Sequence, residues 1–141
     1  GSLVSLASAI GIPVGIFGGW LADKWGSRKK PLALTMIFLG VLLFAMPLFT
    51  AKTYVVALVL YGFFAMAEAG LCMTSISEVV PPSQGASATG VVNTGQWIGA
   101  FLGSTLFGAI LGATNWDTSF RVMAVIAVLG AVATLSAKKL K

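Results

Sequence analysis

Residues 53–77 read TYVVALVLYGFFAMAEAGLCMTSIS, an apolar stretch in which Glu68 is the only charged residue. About 20 apolar residues, each adding a rise of about 1.5 Å, cross the hydrocarbon core of a bilayer as one helix. Four other stretches meet the same criterion. Together the predicted spans are residues 3–22, 31–50, 53–77, 84–111 and 118–137. The sequence therefore predicts an all-α, polytopic membrane bundle with five transmembrane helices.

The composition of the whole chain agrees with a lipid environment. Of its 141 residues, 57% are hydrophobic and only 9% are charged, whereas soluble domains carry about 25% charged residues. Histidine is absent and Cys72 is the only cysteine, which excludes a Cys/His metal site, a histidine-dependent catalytic group and an internal disulfide in this chain. A Walker-type phosphate loop is also missing. We expect no enzymatic activity, no metal and no cofactor.

The basic residues predict how the chain is oriented in the membrane. Nine Lys and Arg residues against four Asp and Glu residues give a net charge of +5. Most of the cations form two clusters beside apolar stretches, which is typical of topology signals and not of a surface that binds nucleic acid. With both clusters in the cytoplasm, only Lys52 and Arg121 lie on the other side. We therefore expect an outside N-terminus and a cytoplasmic C-terminus in the plasma (inner) membrane. The cytoplasmic cations are Lys24, Arg28, Lys29, Lys30, Lys138, Lys139 and Lys141.

Two features separate the last three spans. Pro81 and Pro82 cannot continue a helix interior, and Ser83 is the predicted N-cap of the next span. Residues 112–115, GATN, form the second break. Pro13 and Pro47 are predicted to bend the spans that contain them.

The connection after the first span, residues 19–30, reads GWLADKWGSRKK. Asp23 ends an apolar helix, Gly26 suits a left-handed turn, and a basic cluster follows. From the residues alone, this is either an ordinary positively charged loop or a specialised cytoplasmic hairpin.

This loop resembles the signature loop of the major facilitator superfamily, although Ser27 stands where that family often has arginine. The resemblance continues through the EVVP ending of the third span (residues 78–81), the glycine-rich fourth span and the start of the fifth. The residues that match the loop pattern are Gly19, Leu21, Ala22, Asp23, Lys24, Trp25, Gly26, Arg28 and Lys29.

The resemblance implies a secondary transporter that moves a small solute by alternating access, with the lipid bilayer, the solute and the N-terminal half of the same protein as partners. It also implies that Asp23 and the basic residues form a cytoplasmic latch that favours the outward-open state. Glu78 is the predicted latch partner of Arg28 or Lys29.

Five spans with the loop after the first match helices 2–6 or 8–12 of the family. We favour helices 8–12, because the third span lacks the arginine, and the fourth span the proline, that are usual in the N-terminal half. We therefore expect the chain to be a piece of a longer protein.

Glu68 is the most informative residue within the spans. It lies ten residues before Glu78, so it is about 15 Å from the cytoplasmic end of the helix. Ionisable groups at that depth are costly and mark functional sites. At 100° per residue, Tyr61, Cys72 and Ser75 share its helix face. This face is predicted either to line a cavity, where Glu68 carries protons or binds a cationic substrate group, or to form hydrogen bonds for packing.

The fourth span also has two distinct sides. Asn93, Gln96 and Trp97 lie on a polar side that either contacts substrate or joins helices by hydrogen bonds. Glycines at four-residue spacing are predicted to let helices approach closely. They are Gly95, Gly99 and Gly103 in the fourth span, and Gly11, Gly15 and Gly19 in the first.

A second class of function stays open at this point. A membrane scaffold, sensor or receptor that keeps the fold but transports nothing would share the spans and the loop. The polar face around Glu68, combined with the loop, favours transport.

Overall fold

The computed structural model describes Val14, Trp20 and residues 22–137 of the chain. All regular secondary structure in this part is helical, which confirms the all-α prediction. The helices are α1 (Lys29–Ala45), α2 (Ala51–Val79), α3 (Gly85–Ala113) and α4 (Trp116–Ser136), with 3₁₀ turns at Met46–Leu48 and Pro82–Gln84. They correspond to the second to fifth predicted spans. The first predicted span, 3–22, lies almost entirely outside the described residues.

Each of these four helices is long and apolar enough to cross a membrane. The longest two, α2 and α3, have 29 residues each, or about 44 Å of helix. A hydrocarbon core of about 30 Å leaves their ends in the headgroup regions, or accommodates them by tilt.

Proline determines where two of the helices end. The second span was predicted to run to Thr50, but its α-helix, α1, ends at Ala45 and is followed by the 3₁₀ turn Met46–Leu48. Pro47, which lacks an N–H group, therefore ends this helix, so the predicted bend there is wrong. Pro13 lies outside the described residues. The predicted break at Pro81 is confirmed, since its backbone is extended (φ −61°, ψ 152°).

The predicted N-cap at Ser83 is wrong. Ser83 lies inside the Pro82–Gln84 turn, and Gln84 precedes α3 without a capping bond from its side chain. The φ angle that proline imposes suits a first helical turn, so the chain re-enters the helix directly at Pro82. The next break is at Thr114 and Asn115, where the Asn115 Oδ1 accepts a hydrogen bond of 2.9 Å from the Thr118 N–H and caps α4.

The antiparallel pair of α1 and α4 forms the closest helix contact. Gly40 allows it, because a Cβ at that position would lie 3.0 Å from Val128 Cγ2 and 3.2 Å from the Ala124 carbonyl oxygen. Further along, the Thr134 Oγ1 hydroxyl lies 3.5 Å from Met36 Sδ. Close approach at a small residue maximises van der Waals packing, which drives helix association in lipid.

Helix α3 packs far less than the others. It touches α2 and α4, yet it contains no buried residue. A membrane helix that leaves most of its surface open presents it to lipid or to other protein segments. Because α3 is so exposed, most of its polar residues and glycines have few neighbours in the described part of the chain.

Candidate functional site

The loop before α1 makes a tight turn at one end of the bundle. Residues 22–25 are helical, and the Gly26 N–H donates a hydrogen bond of 3.3 Å to the Asp23 carbonyl oxygen. Gly26 has φ 60°, which confirms the predicted left-handed turn. Asp23, Lys24 and Trp25 are exposed. The Lys24 ammonium lies 5.1 Å from the centroid of the Trp20 ring.

Arg28 joins this loop to the end of α2. Its Nε donates to Glu78 Oε1 at 3.1 Å, with 22% of the arginine side chain and 30% of the glutamate side chain exposed. Its Nη1 also donates to the Thr74 carbonyl oxygen. The structure thus brings together the loop arginine and the glutamate that the sequence had paired with it.

Lys29 takes a different partner. Its ammonium donates a hydrogen bond of 2.8 Å to the carbonyl oxygen of Ala137, at the end of α4. The loop therefore holds the C-terminal ends of both α2 and α4. Sequence reasoning missed these two backbone contacts. The signal for the Lys29 contact was a basic cluster at the same end of the bundle as helix ends, whose last carbonyls lack partners within the helix. The Thr74 carbonyl lies more than one turn before the end of α2 at Val79, and no feature of the sequence marks it.

The face of α2 around Glu68 is turned into the bundle. Tyr61, Glu68 and Cys72 are half-buried and Ser75 is buried. Ser75 satisfies its hydroxyl locally, by donating to the Leu71 carbonyl oxygen at 2.7 Å. No hydrogen bond joins the Glu68 carboxyl to another residue in the described part of the chain. The residues of the predicted polar face therefore share one partly buried surface of α2, and the Glu68 carboxyl has no hydrogen-bonding partner among the described residues.

Two cavities open along this face. Cys72 and Ser75 line one of about 470 Å³ between α1, α2 and α3, together with apolar residues such as Leu32 and Val91. Tyr61 lines a second, of about 460 Å³, whose other walls come from α1, α3 and α4. Glu68 lies between the levels of the two cavities along α2. Among the described residues, no group of three or more His, Cys, Asp or Glu side chains is arranged to hold a metal ion.

The three polar and aromatic positions predicted on α3 line neither cavity. Trp97 is 70% exposed, Asn93 is exposed and Gln96 is half-buried. A Cβ added at any of the three glycines predicted to form a close helix contact, Gly95, Gly99 and Gly103, would meet no atom within 4 Å.

The described chain thus makes no close contact at those glycines, because α3 is open over most of its surface. The contact predicted for them needs a segment other than those described. Gly11, Gly15 and Gly19 lie outside the described residues.

Comparison with known proteins identifies the family. The family sequence model of the Major Facilitator Superfamily matches residues 1–140, nearly the whole chain. The chain belongs to this superfamily. The match agrees with the four apolar helices and with the loop before α1, whose Arg28 and Lys29 contact the ends of α2 and α4. The protein is therefore an integral membrane protein.

Curated relatives carry the names of transporters. The chain is 28% identical over 117 residues to a putative multidrug resistance protein, MdtD, of Klebsiella pneumoniae (strain 342), covering 83% of this chain and 25% of that protein. It is 30% identical over 118 residues to a hexuronate transporter of Bacillus subtilis (strain 168), covering 82% of this chain and 27% of that protein. The chain spans about a quarter of the length of these relatives.

Proposed function

We propose that this chain is part of a secondary active transporter that moves a small solute across the membrane by alternating access. We assign it to the C-terminal half of that transporter, with α1–α4 as helices 9–12 and residues 3–22 as helix 8. In this mechanism two halves rock around a site near the middle of the bilayer. Membership of the superfamily supports the proposal, and so do the relatives named for hexuronate transport and multidrug resistance.

The observation that carries the proposal is the half-buried carboxyl of Glu68 in the middle of a membrane helix, without a hydrogen-bonding partner among the described residues. A purely structural acid at this depth is stabilised by bonds to neighbouring helices, since an unpaired polar group in hydrocarbon is costly. An acid between two cavities is instead accessible to a proton or to a cationic group of a solute. We assign proton coupling to Glu68, with Tyr61 on the wall of one cavity and Cys72 and Ser75 on the wall of the other.

The loop supplies the second part of the mechanism. The contacts of Arg28 with Glu78 and Thr74, and of Lys29 with Ala137, support a latch that closes this end of the bundle. A latch works by stabilising one of two states more than the other. We place this end, with the C-terminus, in the cytoplasm of a plasma (inner) membrane, because seven of the nine Lys and Arg residues are assigned to it.

Transport is tested with the complete protein that contains this chain, reconstituted into proteoliposomes with an imposed pH gradient. The solutes are a hexuronate and a set of drugs, chosen from the names of the relatives. We expect at least one solute to be accumulated or expelled against its gradient, and a protonophore to abolish this movement. If no solute moves although the protein keeps its helical circular dichroism, the scaffold, sensor or receptor interpretation is favoured instead.

A further inference from the structure

A groove of about 400 Å³ runs along the outer surface of the α1–α4 pair, lined only by residues of these two helices. Gly40 and Ala124 are buried, where the two helices come closest. Val41, Phe44, Val125 and Leu129 line the groove and are between 54% and 61% exposed. The groove is therefore an apolar, open channel with bulky walls.

Arg121 stands at the end of the groove that is remote from the signature loop. Its guanidinium carbon lies 5.5 Å from the centroid of the Phe44 ring, and Phe44 is one wall of the groove. Among the described residues, no carboxylate oxygen lies within 4.0 Å of Arg121. Asp117, one helical turn nearer the start of α4, is beyond that distance. The guanidinium presents donors suited to a phosphate group.

The groove and Arg121 together fit within one leaflet of a bilayer. Eight residues separate Arg121 from Leu129, or about 12 Å along α4. Half of a hydrocarbon core of about 30 Å is about 15 Å. An acyl chain that lies in the groove would place the phosphate of its lipid at the level of Arg121, where long cationic side chains reach the headgroups.

We propose that this groove is a binding site for a phospholipid of the leaflet remote from the loop. One acyl chain lies between α1 and α4, and the phosphodiester accepts hydrogen bonds from Arg121. Phe44 contributes twice, since its ring packs against the chain and holds the guanidinium in place by a cation–π contact.

The chemistry of the walls favours lipid over a further protein helix as the occupant. Contacts between membrane helices are rich in small and polar residues, and α3 carries three glycines with open space beside them, Gly95, Gly99 and Gly103. The exposed walls of the groove are instead branched and aromatic, without a polar side chain. Its small residues Gly40 and Ala124 are already buried in the contact between α1 and α4. A flexible acyl chain fills such an irregular surface without the close backbone approach that a helix needs.

The test is native mass spectrometry of the complete protein, titrated with phosphatidylglycerol. We expect a lipid-bound species whose apparent affinity falls about fivefold in Arg121→Gln, through the loss of one cation at the membrane surface. Val125→Trp, which fills the groove, should lose the same species. Each variant has a matched control. Lys52→Gln removes the other cation assigned to the side of the membrane remote from the loop, and Val132→Trp adds a tryptophan elsewhere on α4. Val132 is exposed on α4, seven residues beyond Val125, and does not line the groove.

An affinity about fivefold lower in Arg121→Gln and loss of the bound species in Val125→Trp, with wild-type binding in both controls, support the site. Wild-type binding in Arg121→Gln overturns the assignment of the phosphate. Wild-type binding in Val125→Trp overturns the assignment of the acyl chain. The absence of bound phosphatidylglycerol from the wild-type protein overturns the proposal as a whole.

Discussion

Replacing Glu68 by glutamine is expected to abolish accumulation driven by a pH gradient while leaving exchange of solute intact. Glutamine has the shape of the protonated acid but cannot release a proton, so the step that couples proton movement to transport is lost. Exchange of solute for solute does not need that step. A gradient of one pH unit supplies about 1.4 kcal/mol per proton, or about tenfold accumulation, and we expect the variant to reach a ratio of about one.

This experiment uses the complete protein in proteoliposomes, with accumulation and counterflow measured on the same preparation. Asp117→Asn is the matched control, because it removes an exposed carboxyl at the start of α4, far from the Glu68 face. We expect it to accumulate solute as the wild-type protein does. Undiminished accumulation in Glu68→Gln would remove Glu68 from the coupling mechanism and leave it a packing role.

Reversing one charge of the Arg28–Glu78 pair is expected to slow transport strongly, and reversing both is expected to restore much of the rate. Arg28→Glu brings two acids together where the nitrogen and oxygen now lie 3.1 Å apart, and Glu78→Arg brings two cations together. Because both side chains are partly exposed, the effect on the latched state is about 1–2 kcal/mol, or a factor of about 5–30 in its population.

The double variant restores the attraction with opposite polarity. Recovery should be incomplete, because Arg28 also donates to the Thr74 carbonyl oxygen and a glutamate at position 28 cannot. Lys30→Glu is the matched control, since it reverses an exposed cation of the same loop and breaks no ion pair. Initial rates of transport in proteoliposomes measure all four variants. Equal rates in the single and double variants would show that the pair does not act as a unit.

The parts of the fold that the sequence predicted are those governed by local chemistry. The length of the apolar stretches predicted α2 and α3, and the missing N–H groups of Pro81 and Pro82 predicted the break between them. Gly26 predicted the left-handed turn. The end of α1 was placed too late. Apolar residues continue to Phe49 whether or not the helix does, and hydropathy alone did not reveal that Pro47 ends it.

Contacts between helices were harder to predict, because periodicity shows which residues share a face but not which helix covers it. The spacing of Gly95, Gly99 and Gly103 predicted a close contact that the described chain does not make. The actual close contact is at Gly40, a single glycine among bulky neighbours, opposite Val128. Similarly, charge suggested Glu78 as the partner of Arg28, while the backbone acceptors at Thr74 and Ala137 carry no charge that marks them in the sequence.

We propose that the cavity lined by Cys72 and Ser75 opens alternately to the two sides of the membrane under control of the Arg28–Glu78 pair. This claim is tested most directly by the reaction rate of Cys72 with a membrane-impermeant maleimide, in a complete protein that keeps no other cysteine. Cys72 is half-buried and lines the cavity nearest the loop. We predict that it reacts with reagent applied from the loop side, and faster in Glu78→Gln, which releases the latch. No reaction from that side, or the same rate with and without the pair, would contradict the claim.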